Sequence, residues 1–170
     1  MKNIFSSIII IIFISFIITG CSKSDKGLWD DAVKYQKEQK VTEAINSYEQ
    51  VYDKHPESPL APKALFEIGK LYQSRSVKDM NVVASLNKAV EYYGKIFNEY
   101  PNSTEAPKAL FMKGFIQSNE LQDYPAAKSS FNLFIQKYPN SEMIVSAKAE
   151  LENMGKSPEE ILKKEEVGKK

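Results

Sequence analysis

Among 170 residues the chain holds one cysteine, Cys21, and one histidine, His55. A single cysteine excludes a disulfide within the monomer, and a lone histidine without a second histidine or a free cysteine excludes the usual ligand sets of zinc. Excess charge is missing as well: 23 basic side chains against 22 acidic ones leave a formal net charge of +1. With no surplus of lysine and arginine to follow a phosphate backbone, nucleic acid is not an expected partner. Neither Gly-x-Gly-x-x-Gly nor a P-loop pattern occurs, so no nucleotide cofactor is expected. The paired acids do not suggest catalysis. Asp30 and Asp31, if helical, point about 100° apart and suit a helix N-terminus, which favours negative charge. Glu159-Glu160 and Glu165-Glu166 are charge on a terminal tail. No catalytic residue, metal site, cofactor or small-molecule substrate is expected, and the chain is read as non-enzymatic.

One long apolar run is present, Ile4–Ile18, preceded by Lys2 and broken only by serines. A charged start and an apolar core are the marks of a secretory signal peptide, although the run also approaches the length of an uncleaved membrane anchor. Its ending, Ile18-Thr19-Gly20-Cys21, resembles the bacterial lipobox. That resemblance implies cleavage before Cys21 and a diacylglyceryl thioether on its sulfur, an anchor of two or three acyl chains that holds stably where one would be marginal. Ser22 stands where an aspartate would retain such a protein at the inner membrane, so the resemblance implies the outer membrane, facing the periplasm. The expected organisation is a signal peptide at 1–20, the lipidated cysteine and a short linker at 21–26, a repeat domain at 27–155, and a short helix with a charged tail at 156–170.

The hexapeptide Ala61-Pro62-Lys63-Ala64-Leu65-Phe66 returns unchanged as Ala106-Pro107-Lys108-Ala109-Leu110-Phe111. Repetition at a fixed period marks an architecture of stacked units. A proline lies five residues before each copy, at Pro56 and Pro101, and Pro139 opens a more divergent third. Counting back from these prolines gives Ala44, Ala89 and Ala127; Tyr48, Tyr93 and Phe131; Val51, Ile96 and Phe134; Tyr52, Phe97 and Ile135; His55, Tyr100 and Tyr138. That is one apolar face of an α-helix, written three times. The helix stops at its proline, which has no N–H and biases its predecessor away from helical angles. A second helix is predicted to restart at once, with Ser58, Ser103 and Ser141 positioned to accept from orphan amides and Pro62 and Pro107 near its start. Gly69 and Gly114 mark where the two helices of a pair cross closely. His55 shares a slot with Tyr100 and Tyr138 and reads as a packing ring with a polar tip.

With Leu65, Ile68-Gly69, Tyr72, Ala89, Tyr93 and Pro101 in the second unit, and Leu110, Gly114, Ala127, Phe131 and Pro139 in the third, the chain resembles the tetratricopeptide repeat (TPR) family. The first unit, Leu28, Ala32, Tyr35, Ala44, Tyr48 and Pro56, lacks the glycine. Val51, Ile96 and Phe134 replace a usual small residue, and about seven extra residues fall around 77–83. The resemblance implies an all-α fold, a TPR-like right-handed superhelix of about three helix-turn-helix repeats plus a C-terminal capping helix. It also implies a concave face lined by the first helix of each pair. Carried over by the glycine register, that face holds Trp29, Val33 and Gln36; Lys63, Phe66, Lys70 and Gln73; and Lys108, Phe111, Phe115 and Asn119. An aromatic row (Trp29, Phe66, Phe111) beside a lysine row (Lys26, Lys63, Lys108) suits an extended peptide bearing apolar side chains and an acidic group. The same residues also fit a plainer role, the rings packing on the preceding helix and the lysines solvated.

Lipidation, the Tyr-Pro-Asn-Ser turns and the alanine-rich first helices together resemble the BamD-type lipoproteins of outer-membrane β-barrel assembly, which have more repeats. This implies a non-catalytic scaffold that binds other envelope proteins. Two alternatives are an accessory of the Tol–Pal and cell-division system and an accessory of a peptidoglycan-processing enzyme, the latter without room for a catalytic domain after the repeats.

Overall fold

The computed structural model describes residues 23–157 and 159–160. The signal peptide, the lipobox with Cys21, and the tail from 161 onward lie outside the described residues. Among the described residues seven α-helices follow one another: α1 (Asp25–Lys37), α2 (Val41–Lys54), α3 (Ala61–Gln73), α4 (Val82–Glu99), α5 (Ala106–Phe115), α6 (Tyr124–Lys137) and α7 (Ile144–Asn153). A π-helical turn, Ile116–Glu120, extends α5. Each helix packs on its neighbours in the chain, α1 on α2, α2 on α3 and so on to α7, as in an array whose units touch only adjacent units. The fold is all-α and TPR-like.

The stripe read from the sequence is the buried seam. Ala44, Val51, Ala89, Tyr93, Ile96, Ala127, Phe131 and Phe134 are fully buried, while Tyr52, Phe97 and Ile135 flank the seam half-buried. Gly69 and Gly114 lie under the aromatic of the following helix. A Cβ on Gly69 would come within 2.7 Å of the Tyr93 ring and one on Gly114 within 3.0 Å of Phe131, closer than side chains approach without moving.

The prolines act as expected, and the residues before them do more. His55, Tyr100 and Tyr138 cap α2, α4 and α6 with nearly identical φ of −136°, −126° and −127°. From there Tyr100 donates its hydroxyl to the Pro56 carbonyl at 3.0 Å and Tyr138 to that of Pro101 at 3.1 Å. His55 Nε2 donates to the Lys23 carbonyl at 3.0 Å. The slot thus joins a packing ring to a hydrogen-bonded polar tip: Tyr100 and Tyr138 pack against the core and clasp the preceding unit, while His55 clasps the residue ahead of the α1 cap.

Three local expectations are corrected. The helices after the prolines do not restart at once: α3, α5 and α7 begin three residues after the serines, with Leu60, Glu105 and Met143 at the cap positions. Ser58 and Ser141 accept from the amides of Leu60 and Met143 within the turn, and Ser103 Oγ is buried without a partner. Successive backbone turns, such as Ser58 N–H to His55 and Ala61 N–H to Ser58, hold the connection before helical geometry sets in. Asp30 and Asp31 lie beyond the first turn of α1 and pair with Lys26, at 3.1 Å, and Lys23. The helix start belongs instead to Ser24, which accepts from Gly27 N–H, and to Asp25. The Ser58 hydroxyl, with the Lys26 N–H, holds the Asp25 carboxyl below its usual range.

The extra residues of unit 2 form the connection 74–81 and the first turn of α4, capped by Asn81. Val77 tucks against the core, whereas Val82 and Val83 are exposed. The helix that covers the third unit is α7, which follows its proline turn as α3 and α5 do, and its Ala147 repeats the burial of Ala64 and Ala109. Ser157 and Glu160 close a reciprocal capping box at 2.8 and 3.3 Å, the helix start expected there.

Candidate binding groove

Because α1, α3 and α5 are the first helices of successive pairs, their N-terminal halves line one side of the stack. Trp29, Lys63, Phe66, Lys70 and Lys108 are brought together there, around a depression of about 480 Å³. Trp29 stands edge-on to Tyr48, ring centroids 5.1 Å apart, and Phe66 leans on Tyr93 at 5.2 Å. Both rings are half-buried, so each is held from behind and presents its other side to the groove.

The charge of the groove differs from the row of cations expected. Glu67, Thr104 and Glu105 also line it, and Glu67 pairs with Lys70 at 2.8 Å. Lys63 and Lys108 are exposed and have no hydrogen-bond or ion-pair partner among the described residues. Lys26, the third lysine of the row, is engaged by Asp30 and does not line the depression. Sequence spacing missed Glu105 because it precedes the repeated hexapeptide, at the position held by Leu60 in unit 2. Glu67 follows Phe66 directly, and its place on the groove rim follows from its pairing with Lys70.

Phe111 and Phe115 are placed apart from this group. Phe111 meets Phe131 and Phe134 edge-to-face at 5.6 and 5.9 Å, and Phe115 stacks on it at 6.5 Å. Both belong to the C-terminal core cluster. The remaining polar positions are engaged between elements: Gln36 accepts from Tyr48, Gln73 donates to Glu120, and Asn119 donates to Glu150. A larger depression, about 580 Å³, lies between the π-helical turn and α7, where Ala149 takes the place of Phe66 and Phe111 and polar side chains dominate. Among the described residues no group of three or more histidine, cysteine or acidic side chains could hold a metal ion. No described helix is long and apolar enough to cross a membrane.

Antiparallel helix pairs, clasped at aromatic-proline turns and grooved along their first helices, define a helical-repeat protein of the tetratricopeptide type. The family model described as YfiO, outer membrane lipoprotein, matches residues 22–157. The chain belongs to that family, and with it to the lipid-anchored proteins of the cell envelope. No curated protein matches the chain.

Proposed function

We propose that this protein is a non-catalytic scaffold of outer-membrane protein assembly, lipidated at Cys21 after removal of residues 1–20, and that its groove holds an extended segment of another envelope protein. The observation that carries the reading is the convergence of two half-buried rings, Trp29 and Phe66, with two unpaired lysines, Lys63 and Lys108, on one side of the stack. Flat apolar anchors give a peptide area to cover, and free cations select an acidic side chain or a terminal carboxylate. The family match to outer membrane lipoproteins supports the setting.

Affinity capture from detergent-solubilised membranes, with the lipidated protein as bait, tests it. Barrel-assembly proteins are the expected partners; a list made only of Tol–Pal or cell-wall proteins would redirect the assignment. Trp29→Ala and Phe66→Ala should abolish capture while leaving the melting temperature within a few degrees. Lys63→Glu combined with Lys108→Glu should weaken it, as should raised salt on the native protein. Capture unchanged in all of these variants places the working surface elsewhere.

A further inference from the structure

The first described residues, 23–25, are already held by the fold. Ser24 caps α1, and its carbonyl accepts from Leu28 N–H at 2.9 Å. The Asp25 carboxylate accepts from Ser58 Oγ at 2.6 Å, in the turn between α2 and α3. The Lys23 carbonyl is held by His55 and its ammonium by Asp31. These contacts fasten residues 23–25 to the first proline turn and leave only Ser22 between the fold and Cys21. Of the 21–26 linker expected from the sequence, residues 23–26 therefore belong to the fold.

From this geometry we propose that the edge of the stack carrying the three proline turns, His55–Leu60, Tyr100–Glu105 and Tyr138–Met143, is apposed to the lipid headgroups, with the opposite edge turned away from the membrane. Two residues span at most about 7 Å, whereas α1, with 13 residues, is about 20 Å long. A tether about a third as long as the body is thick keeps the first proline turn, which residues 23–25 contact, at the headgroups, and the far edge, with the α1–α2 turn and the connection 74–81, meets the bilayer only if the stack lies on its side. The near edge is suited to the place. The clasps of Tyr100 to Pro56 and Tyr138 to Pro101 join its turns into one continuous row. Its outermost residues, Pro56, Glu57, Pro59, Pro101, Asn102, Pro139 and Asn140, are exposed and present no large apolar side chain that would insert into the hydrocarbon. Lys63 and Lys108, in the first turns of α3 and α5, are then at the membrane-proximal end of the groove. The inference rests on lipid anchoring and not on what the groove binds.

Depth-dependent quenching tests it on the full lipidated protein, purified from membranes with its N-terminal mass verified. The protein is reconstituted into phosphatidylethanolamine and phosphatidylglycerol vesicles that contain a headgroup-nitroxide lipid. Since Cys21 is the chain's only cysteine and its sulfur is blocked, a fluorophore can be placed at Glu57→Cys, Asn102→Cys or Asn140→Cys on the near edge. Glu43→Cys or Lys78→Cys marks the far edge. Quenching several-fold stronger on the near edge is expected, steepest at Glu57→Cys. A 20-residue Gly/Ser spacer after Ser22, with an end-to-end distance of about 25 Å, should erase the difference while the protein stays on the vesicles. Equal quenching at both edges without the spacer, or stronger quenching at Lys78→Cys, would overturn the orientation. A difference that survives the spacer would overturn the short tether as its cause. Partner capture is read separately, so its failure leaves this result intact.

Discussion

Where the second unit sets Tyr93 over Gly69, the third sets Phe131 over Gly114, and the same exchange of ring types runs through the surrounding core. On the N-terminal side Tyr48 donates to Gln36, Tyr93 to Gln73, Tyr92 to Glu49 and Tyr52 to Glu99. Lys95 lies over the rings of both Tyr52 and Tyr92, linking the second helices of two units. On the C-terminal side Phe111, Phe115, Phe131 and Phe134 stack or meet edge-to-face and bring no donor. A phenol that loses its acceptor on burial is penalised, so each of these bonds specifies one register between helices. Rings without hydroxyls hold by area and shape alone. Both rings of the groove, Trp29 and Phe66, lie in the N-terminal half, while its rim reaches Thr104, Glu105 and Lys108 at the start of the third unit. The equivalent of Phe134 in unit 2 is Ile96, which brings no ring against Phe66.

The largest expected effect lies in the phenylalanine half. Phe131→Ala empties a fully buried site and should cost about 3–5 kcal/mol in denaturant unfolding. A loss below about 1 kcal/mol would mean that the third unit is not packed through this ring. Phe111→Ala removes a half-buried ring with two edge-to-face partners and should cost somewhat less, about 2–3 kcal/mol. Phe66→Ala, at the same repeat position, should cost clearly less than Phe111→Ala. Equal losses at the two positions would erase the distinction between an open and a sealed half.

The glycines should respond unequally. In Gly69→Ala the new Cβ meets the Tyr93 ring at 2.7 Å. Overpacking by one methyl costs about 1–3 kcal/mol, against a gain of about 1 kcal/mol from replacing glycine within a helix, so a net loss of about 1 kcal/mol is expected. Gly114→Ala has 3.0 Å available to Phe131, and thermal unfolding should place it above Gly69→Ala in stability.

Tyr92→Phe keeps the ring and deletes the donor to Glu49. A loss of about 1 kcal/mol is expected, and Glu49→Gln in the Tyr92→Phe background should change stability less than in the native chain, a coupling that a double-mutant cycle reads directly.

The smallest effect at neutral pH is an alkaline one. Burial pushes the Tyr48 phenol up to about 12, and the bond to Glu99, reinforced by burial, does the same for Tyr52. Burial first, and then Glu49, raises Tyr92, and burial raises Tyr93. A folded-state value above the unfolded 10.0 means that the neutral phenol stabilises the fold. The contribution is complete below pH 10 and is lost as pH rises through about 12. Spectrophotometric titration should show these phenols ionising late, together with the loss of helical circular dichroism. Release of all tyrosines near pH 10 with the helices intact would contradict the packing of the N-terminal half.

Much of this fold is legible along the chain because its signals are local. Pro56, Pro101 and Pro139 end helices wherever they occur, since the missing N–H and the restricted preceding residue act within one turn. The stripe from Ala44 to Tyr52 and its two copies bury one face because a helix has a fixed period. The lining of the depression was legible in part. The hexapeptide placed Lys63 and Phe66 at positions equivalent to Lys108 and Phe111, and the fold gathers Lys63, Phe66 and Lys108 with Trp29 and Lys70 around one depression. Glu67 and Glu105, which change its charge, carried no signal in spacing, because Glu105 falls just outside the repeated segment and has no acidic counterpart in unit 2.

The sequence by itself determined the number of units, the helix ends, the glycine crossings and the family resemblance that the comparison bore out. The tertiary structure decided which of two identical hexapeptides opens to a groove. Phe66 and Phe111 have the same neighbours for five residues upstream, yet one ring borders a depression and the other joins a phenylalanine cluster. That outcome depends on rings delivered by the next helix, twenty or more residues further on, and on how closely two backbones approach. It also decided that Tyr100 and Tyr138 reach back to carbonyls of the preceding unit and His55 to that of Lys23 ahead of α1. A hydrogen-bond donor finds its acceptor only when both are held in place, and the acceptors here are backbone oxygens that every residue possesses.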